Sequence, residues 1–389
     1  MAIPLLSRRP DSGLGNIRAS PARPSRNIDW TLMFAALALA TAGVFAIYSV
    51  TWFRYQDPYL FTTRQVVWLI LAAIVLTVVM SLDYHWLKER AMFFYGCTLL
   101  VLALTLFAGA ALADGSRLSF DLGPFRVQPA EFAKVTVLLA LAAYLSDERG
   151  EQVSYPRFLG GLMLVGAPVG LILLQPDLGS ASVLVVCAMG VLLVAGAKPK
   201  YIALITTLGL LSAGAAVISG VVEERQLERI NAFVNQNTTS TDEDLRRITE
   251  QLKFAKRAIS TGGVWGKGWL EGPLTNGRYI PVQQSDFIYS GIAEQFGLVG
   301  SAVLIGLYGL LLLRIWRIAH LSKDMLGTYI CAGVFAMLAW HIFENIGMNL
   351  GIMPITGVPL PFISYGGSSV LSFAAMIGLV QSVHMRRMR

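Results

Sequence analysis

The chain has 389 residues, of which 55% are hydrophobic and 14% charged, with a formal net charge of +7. Soluble domains carry about a quarter charged residues, so this composition excludes one and specifies an integral membrane protein. Cys97, Cys187 and Cys331 fall inside apolar runs, without metal spacing or extracellular pairing, and read as small core residues.

Residues 1–28 form a basic, Pro/Ser-rich tail that reads as a disordered cytoplasmic segment and not as a cleavable signal. Residues 29–384 read as one membrane domain. Apolar runs suited to a hydrocarbon core of about 30 Å, roughly 20 helical residues each, lie at 30–50, 66–82, 93–112, 130–145, 158–174, 181–195, 201–221, 287–313, 326–348 and 368–384. Residues 385–389 form a second basic tail. The predicted class is an all-α polytopic membrane protein of about ten transmembrane helices, with one large extracellular loop, 222–285, between spans 7 and 8.

With the N-terminus inside, the cytoplasmic segments hold 17 Lys and Arg, and the short outside loops hold Arg54, Arg64, Arg117 and Arg126. The positive-inside rule therefore places both termini in the cytoplasm. The net charge is a topology signal concentrated beside anionic lipid, and nucleic acid is set aside as a partner.

Within the long loop, Leu245, Ile248, Leu252, Ala255 and Ile259 recur at steps of three and four. They predict an amphipathic helix, lying on the membrane surface or packed on the bundle. A glycine-rich stretch follows at 260–269, STGGVWGKGW, which reads either as a phosphate cradle with Lys267 as counter-charge or as a linker.

Charges in or beside spans are expensive and mark candidate sites. Glu131 and Lys134, spaced i, i+3, form either a structural pair or a cavity pair in which the lysine meets an anionic substrate. Asp177, between Pro176 and Gly179, is read as a turn former or a site residue. Asp286 ends the long loop and opens a span, where it serves as an N-cap, a catalytic group or both. The segment 347–369, with Pro354, Pro359 and Pro361 followed by Ser364, Tyr365 and a glycine pair, predicts irregular backbone that survives at membrane depth only as a cavity wall. The four histidines are scattered, and no Walker A sequence or GxSxG elbow appears.

The motifs QPAEFAK, LLQPDLGS, ISTGGVWGKGW, QQSDFIYSGIAEQFGLVG and NIGMNLGIMPITGVPLPFISYGGSS, in this order, resemble the SEDS family of shape, elongation, division and sporulation proteins. The resemblance covers nearly the whole chain from Asp29, and its GKGW pattern is closer to the elongation branch, RodA, than to the division branch, FtsW. It implies a peptidoglycan glycosyltransferase that polymerises lipid II at the outer face of the bacterial cytoplasmic membrane, beside a class B penicillin-binding protein acting as transpeptidase. Asp286 would match the family's catalytic aspartate, Glu131 and Lys134 its cavity pair, and Asp177 its QPDLG loop aspartate. Leu118 and Ser119 replace the usual Arg-Trp, which puts substrate contact from that outside loop in doubt, and Gln295 replaces a second Glu.

Joining sugars from a polyprenyl diphosphate needs a base for the acceptor hydroxyl and cations for the departing diphosphate. Asp286 suits the first role. Lys267, Arg278, Lys134 or a divalent cation, Mg or Mn, suits the second, and Ser364 and Tyr365 join the substrate-binding set. Two other classes stay open: a transporter or flippase of a lipid-linked precursor, and a scaffold that activates a partner synthase. A transporter concentrates its charges at mid-membrane, whereas Asp286 opens a span beside a glycine-rich loop. The partner's expected contact surface is the proline-interrupted region 347–362 together with the neighbouring span.

Overall fold

The computed structural model describes residues 27–108, 110–111, 117–122, 125–147, 153–204, 206–207, 209, 224–234, 236 and 243–388. The helices are α1 (Trp30–Thr51), α2 (Leu60–Ser81), α3 (Tyr84–Ala108), α4 (Pro129–Ser146), α5 (Tyr155–Leu173), α6 (Leu178–Val194), α7 (Glu224–Val234), α8 (Glu243–Gly262), α9 (Pro273–Asn276), α10 (Ile288–Leu321), α11 (Met325–Leu350) and α12 (Gly367–Arg386). Eight of them, α1 to α5 and α10 to α12, are long and apolar enough to cross a membrane, and α6 is apolar but has 17 residues. Most of the span expected at 201–221 lies outside the described residues, as does the tail 1–26.

The chain is helical as expected, with one addition. Between α3 and α4 stand three short antiparallel strands, β1 (Ala110–Ala111), β2 (Arg117–Leu122) and β3 (Phe125–Val127), in the order β1-β2-β3. Phe120 pairs with Val127 and Leu122 with Phe125. A connection at the edge of the apolar layer must bond its own N–H and C=O groups, and a hairpin does so where a helix has no room.

Three helices are central: 89% of the apolar window of α12 is buried, 72% of α4 and 67% of α11, against 17% for α2 and for α3. The peripheral helices present Ile70, Ile74, Phe93, Leu100 and Phe107 outward, as lipid-facing surfaces do. Asp29 caps α1 by accepting from Leu32 N (3.0 Å) and pairs with Arg314, while Asn27 Nδ2 donates to the Met385 carbonyl (3.1 Å). The start of α1 and the end of α12 thus lie on one side of the bundle.

The amphipathic segment of the long loop is helical as α8, and it packs on the bundle. Its Ala255 and Ala258 are buried with Ile280 and Phe287, beside the residue that opens α10. Its apolar face is therefore spent on protein, which decides between the two placements the periodicity allowed.

Candidate active site

A cavity of about 650 Å³ is walled by α2, β2 and β3, the first turns of α4, α6 and α12, and the irregular segment after α11. Asp286, Glu131, Lys134, Asp177 and Tyr365 all line it, although they come from regions of sequence up to 234 positions apart. Phe61, Trp68, Arg64, Leu118, Ser119, Arg126, Gln128 and Ser368 complete much of the wall. The described lining holds three cations, Arg64, Arg126 and Lys134, against three carboxylates.

Two of the carboxylates are already engaged. Lys134 Nζ donates to Glu131 Oε1 at 2.7 Å and meets His341 Nε2 at 3.1 Å, with both members of the pair almost fully buried. An ammonium has three donors, so one remains for the cavity, and Glu131 Oε2 is buried without a partner. Asp177 is the N-cap of α6, accepting from Ser180 N at 2.9 Å, and also accepts from Gln128 Nε2 at 3.1 Å. The turn-former reading is right, and the same carboxylate faces the cavity.

Asp286 behaves differently from its expected cap role. The N-cap position of α10 is Phe287, with no side-chain cap bond, and the Asp286 carboxyl is half-buried at the cavity wall near Gly357. Burial raises its carboxyl above the ordinary range, opposed by a hydrogen bond from the Ser285 side chain and then by the positive charge of Arg229 on α7. The loop that carries it is anchored at several points. The buried Glu294 carboxylate accepts from Leu274 N and Thr275 N, each at 2.8 Å, and from Thr275 Oγ1 at 2.6 Å, which caps α9. Tyr365 N donates to the Gln284 carbonyl at 2.9 Å.

Three expected substrate residues are placed elsewhere. Lys267 is exposed away from the cavity, and its loop is a packing device: Lys267 N donates to Glu294 O and Gly268 N to Gln295 O, each at 3.0 Å. The loop docks into a kink of α10 at Gly297, whose φ is +64°, and a Cβ on Gly266 would stand 2.1 Å from the Gln295 carbonyl oxygen. The N–H groups that a phosphate would need are consumed by this docking. Arg278 is also exposed and donates through Nε to the Phe53 carbonyl (2.6 Å), stapling the loop to the end of α1. Ser364 is buried, donates to the Ser285 carbonyl at 2.5 Å and accepts from Leu360 N at 2.9 Å, so its hydroxyl is spent on backbone.

Conversely, Arg64 and Arg126 had counted only as outside charges. Arg64 lies in the first helical turns of α2, where an arginine entering an apolar span is itself a signal, and it has no hydrogen-bond or ion-pair partner among the described residues. Arg126 arrives through β3, which is tied to α12 where Gln128 N donates to Ser368 Oγ at 3.0 Å. The 117–127 loop reaches the cavity through Leu118, Ser119 and Arg126. Arg117's side chain lies outside the described residues.

Residues 29–389 match the family model FtsW/RodA/SpoVE, described as cell cycle protein. The chain belongs to this family. Stage V sporulation protein E of Bacillus subtilis (strain 168) is 30% identical, over 91% of this chain and 96% of its own. Peptidoglycan glycosyltransferase RodA of Treponema pallidum (strain Nichols) is 28% identical, over 93% of this chain and 98% of its own. A solved structure described as "Structural coordination of polymerization and crosslinking by a peptidoglycan synthase complex" superposes with a TM-score of 0.77 at 32% identity, covering 92% of this chain and 98% of that one. Sporulation and elongation members are thus about equally similar, and the family, with its polytopic helical fold, is what the similarity establishes.

Proposed function

We propose that this chain is a peptidoglycan glycosyltransferase that polymerises lipid II into glycan strands on the outer face of the bacterial cytoplasmic membrane, in the service of elongation and cell shape. The observation that carries the reading is Asp286, a carboxylate at the loop–helix junction facing a cavity that also holds Arg64, Arg126 and Lys134. Near-full-length similarity to a relative named as a peptidoglycan glycosyltransferase supports it.

In this reading Asp286 takes the proton of the acceptor hydroxyl as that oxygen attacks the anomeric carbon. The bond to the diphosphate breaks with its electron pair leaving on the diphosphate oxygen, so one displacement inverts the anomeric centre. Arg64 and Arg126 replace Lys267 and Arg278 as the cations that offset the leaving charge, since guanidinium forks match phosphate oxygens. Phe61, Trp68 and Tyr365 offer apolar and ring surface beside them. Among the described residues no group of three or more His, Cys, Asp and Glu is poised to hold a metal. Mg or Mn is commonly held by one or two carboxylates plus substrate phosphates, and Asp286 is the oxygen donor that would share it. Such an ion would add positive charge at the diphosphate.

The positive-inside count supports cytoplasmic termini, and the adjacency of Asn27 and Met385 agrees with both on one side. The partner in this reading is a class B penicillin-binding protein, as the similarity to a polymerising and crosslinking complex suggests. Within the expected contact surface, Val358, Leu360 and Phe362 are buried and serve the cavity wall and core, so the exposed Phe343 and Leu350 of α11 and Ile352 just after it would carry the contact. The deciding experiment supplies lipid II to the purified chain in detergent with no other polymerase present. Glycan strands are the expected product; their absence, with or without the transpeptidase, would favour the transporter or scaffold reading.

A further inference from the structure

His341, Asn345 and Asn349 recur every fourth residue of α11, so they share one helix face, and all three are fully buried. Leucine would satisfy such a face, and a buried amide is costly unless its hydrogens are bonded. Here each is bonded to a part of the candidate site. His341 Nδ1 lies 2.8 Å from the Met337 carbonyl, which can only accept, so Nε2 is left as the acceptor for Lys134 Nζ. Asn345 Nδ2 donates to the Asp286 carbonyl at 3.1 Å and to the Val358 carbonyl at 2.8 Å, joining the two segments that meet at the cavity. Asn349 Nδ2 donates to the Asp286 carbonyl at 3.1 Å and to the Asn345 carbonyl at 2.8 Å. Its Oδ1 accepts from Ser290 N at 3.1 Å, in the first turn of α10. Both hydrogens of both amides are thereby spent.

We infer that Asn345 and Asn349 are positioning residues, which fix the backbone of Asp286 on α11 at a set distance from the Lys134 ammonium held by His341 on the same face. Eight residues of helix separate His341 from Asn349, about 12 Å of rise, so the rigid helix sets base and buried cation in register. The Val358 carbonyl, next to that of Asp286, is held by the Asn345 amide as well. The inference rests on the reading of Asp286 as the base.

The test uses the purified full-length chain with lipid II. Asn349→Asp and Asn345→Asp keep side-chain volume but turn donors into acceptors facing a carbonyl; Asn349→Ser keeps a shorter donor and serves where an Asp variant does not insert. A displacement of about 1 Å costs about a hundredfold, so the Asp variants should lose about ten- to a hundredfold in kcat, with the KM for lipid II within twofold, and the Ser variant less. Amide hydrogen exchange over 283–290 should rise in every variant. A kcat within twofold of wild type, or a loss confined to KM, overturns the inference. A wild-type protein that makes no glycan overturns the reading of the site instead; the exchange arm then still decides the anchoring, and unchanged exchange at 283–290 refutes it.

Discussion

At the scale of the residue, the candidate base and the buried pair differ in what surrounds them. Asp286 caps nothing, so Asp286→Asn removes a proton acceptor without removing a cap. Loss of a base costs about 10²–10⁴ in rate, and lipid II polymerisation should fall by that factor while insertion and thermal stability hold. Retention of near-wild-type turnover would return Asp286 to the structural residues. Because burial raises its carboxyl, the base is lost by protonation at a higher pH than for an ordinary carboxylate, near 4. The acid limb of the pH–rate profile should accordingly lie above that value, and it should be missing from the residual activity of Asp286→Asn.

Glu131 and Lys134 make a sharper contrast. Lys134→Met strands a carboxylate in the protein interior, a change that costs about 3–5 kcal/mol when a buried pair is broken, and thermal unfolding should show it. Glu131→Gln with Lys134→Met removes both charges and should recover most of that stability. Lys134 lines the cavity with one donor to spare, so the double variant is expected to be stable and inactive. A stable, fully active double variant would strike both residues from the site.

At the scale of the element, the GKGW loop and the kink of α10 form one unit. Gly266 has φ +86° and Gly297 φ +64°, with backbone atoms inside 2.5 Å of any added Cβ at both positions. Gly266→Ala or Gly297→Ala imposes left-handed strain of about 1–3 kcal/mol and pushes the loop off Glu294 and Gln295. Melting temperature should drop, and polymerisation should drop with it because Glu294 caps the loop carrying Asp286. Lys267→Ala, by contrast, should leave turnover close to wild type; a large loss specific to Lys267→Ala would restore the phosphate-cradle role that the geometry argues against.

At the scale of the whole molecule, Phe343, Leu350 and Ile352, on and just after α11, stay exposed beside a buried cavity wall. Cysteine cross-linking from Ile352 to the membrane span of a transpeptidase partner should succeed, and from Val358, which is 3% exposed, it should fail. Cross-links confined to the peripheral faces of α3 and α5 would place the partner on the other side.

Hydropathy determined the membrane class and most span positions, because a run of apolar side chains in lipid has few ways to satisfy its backbone other than a helix, and the placing of Lys and Arg put the two ends on one side. Hydropathy also singled out Glu131, Lys134, Asp177 and Asp286, because a charge in such a run is costly enough to be conspicuous. Which charges share a cavity was settled only by the packing of α2, α4, α6, α11 and α12. Arg64 and Arg126 read as loop charges until the strands and α2 brought them to the wall, and Lys267 read as a ligand until the kink at Gly297 claimed its loop. The physical reason is range: hydropathy and propensity act over neighbouring residues, whereas a site is a coincidence of side chains hundreds of positions apart. Asn345 and Asn349 show it best, since a pair of amides on an apolar helix has no meaning until the Asp286 carbonyl is found against them.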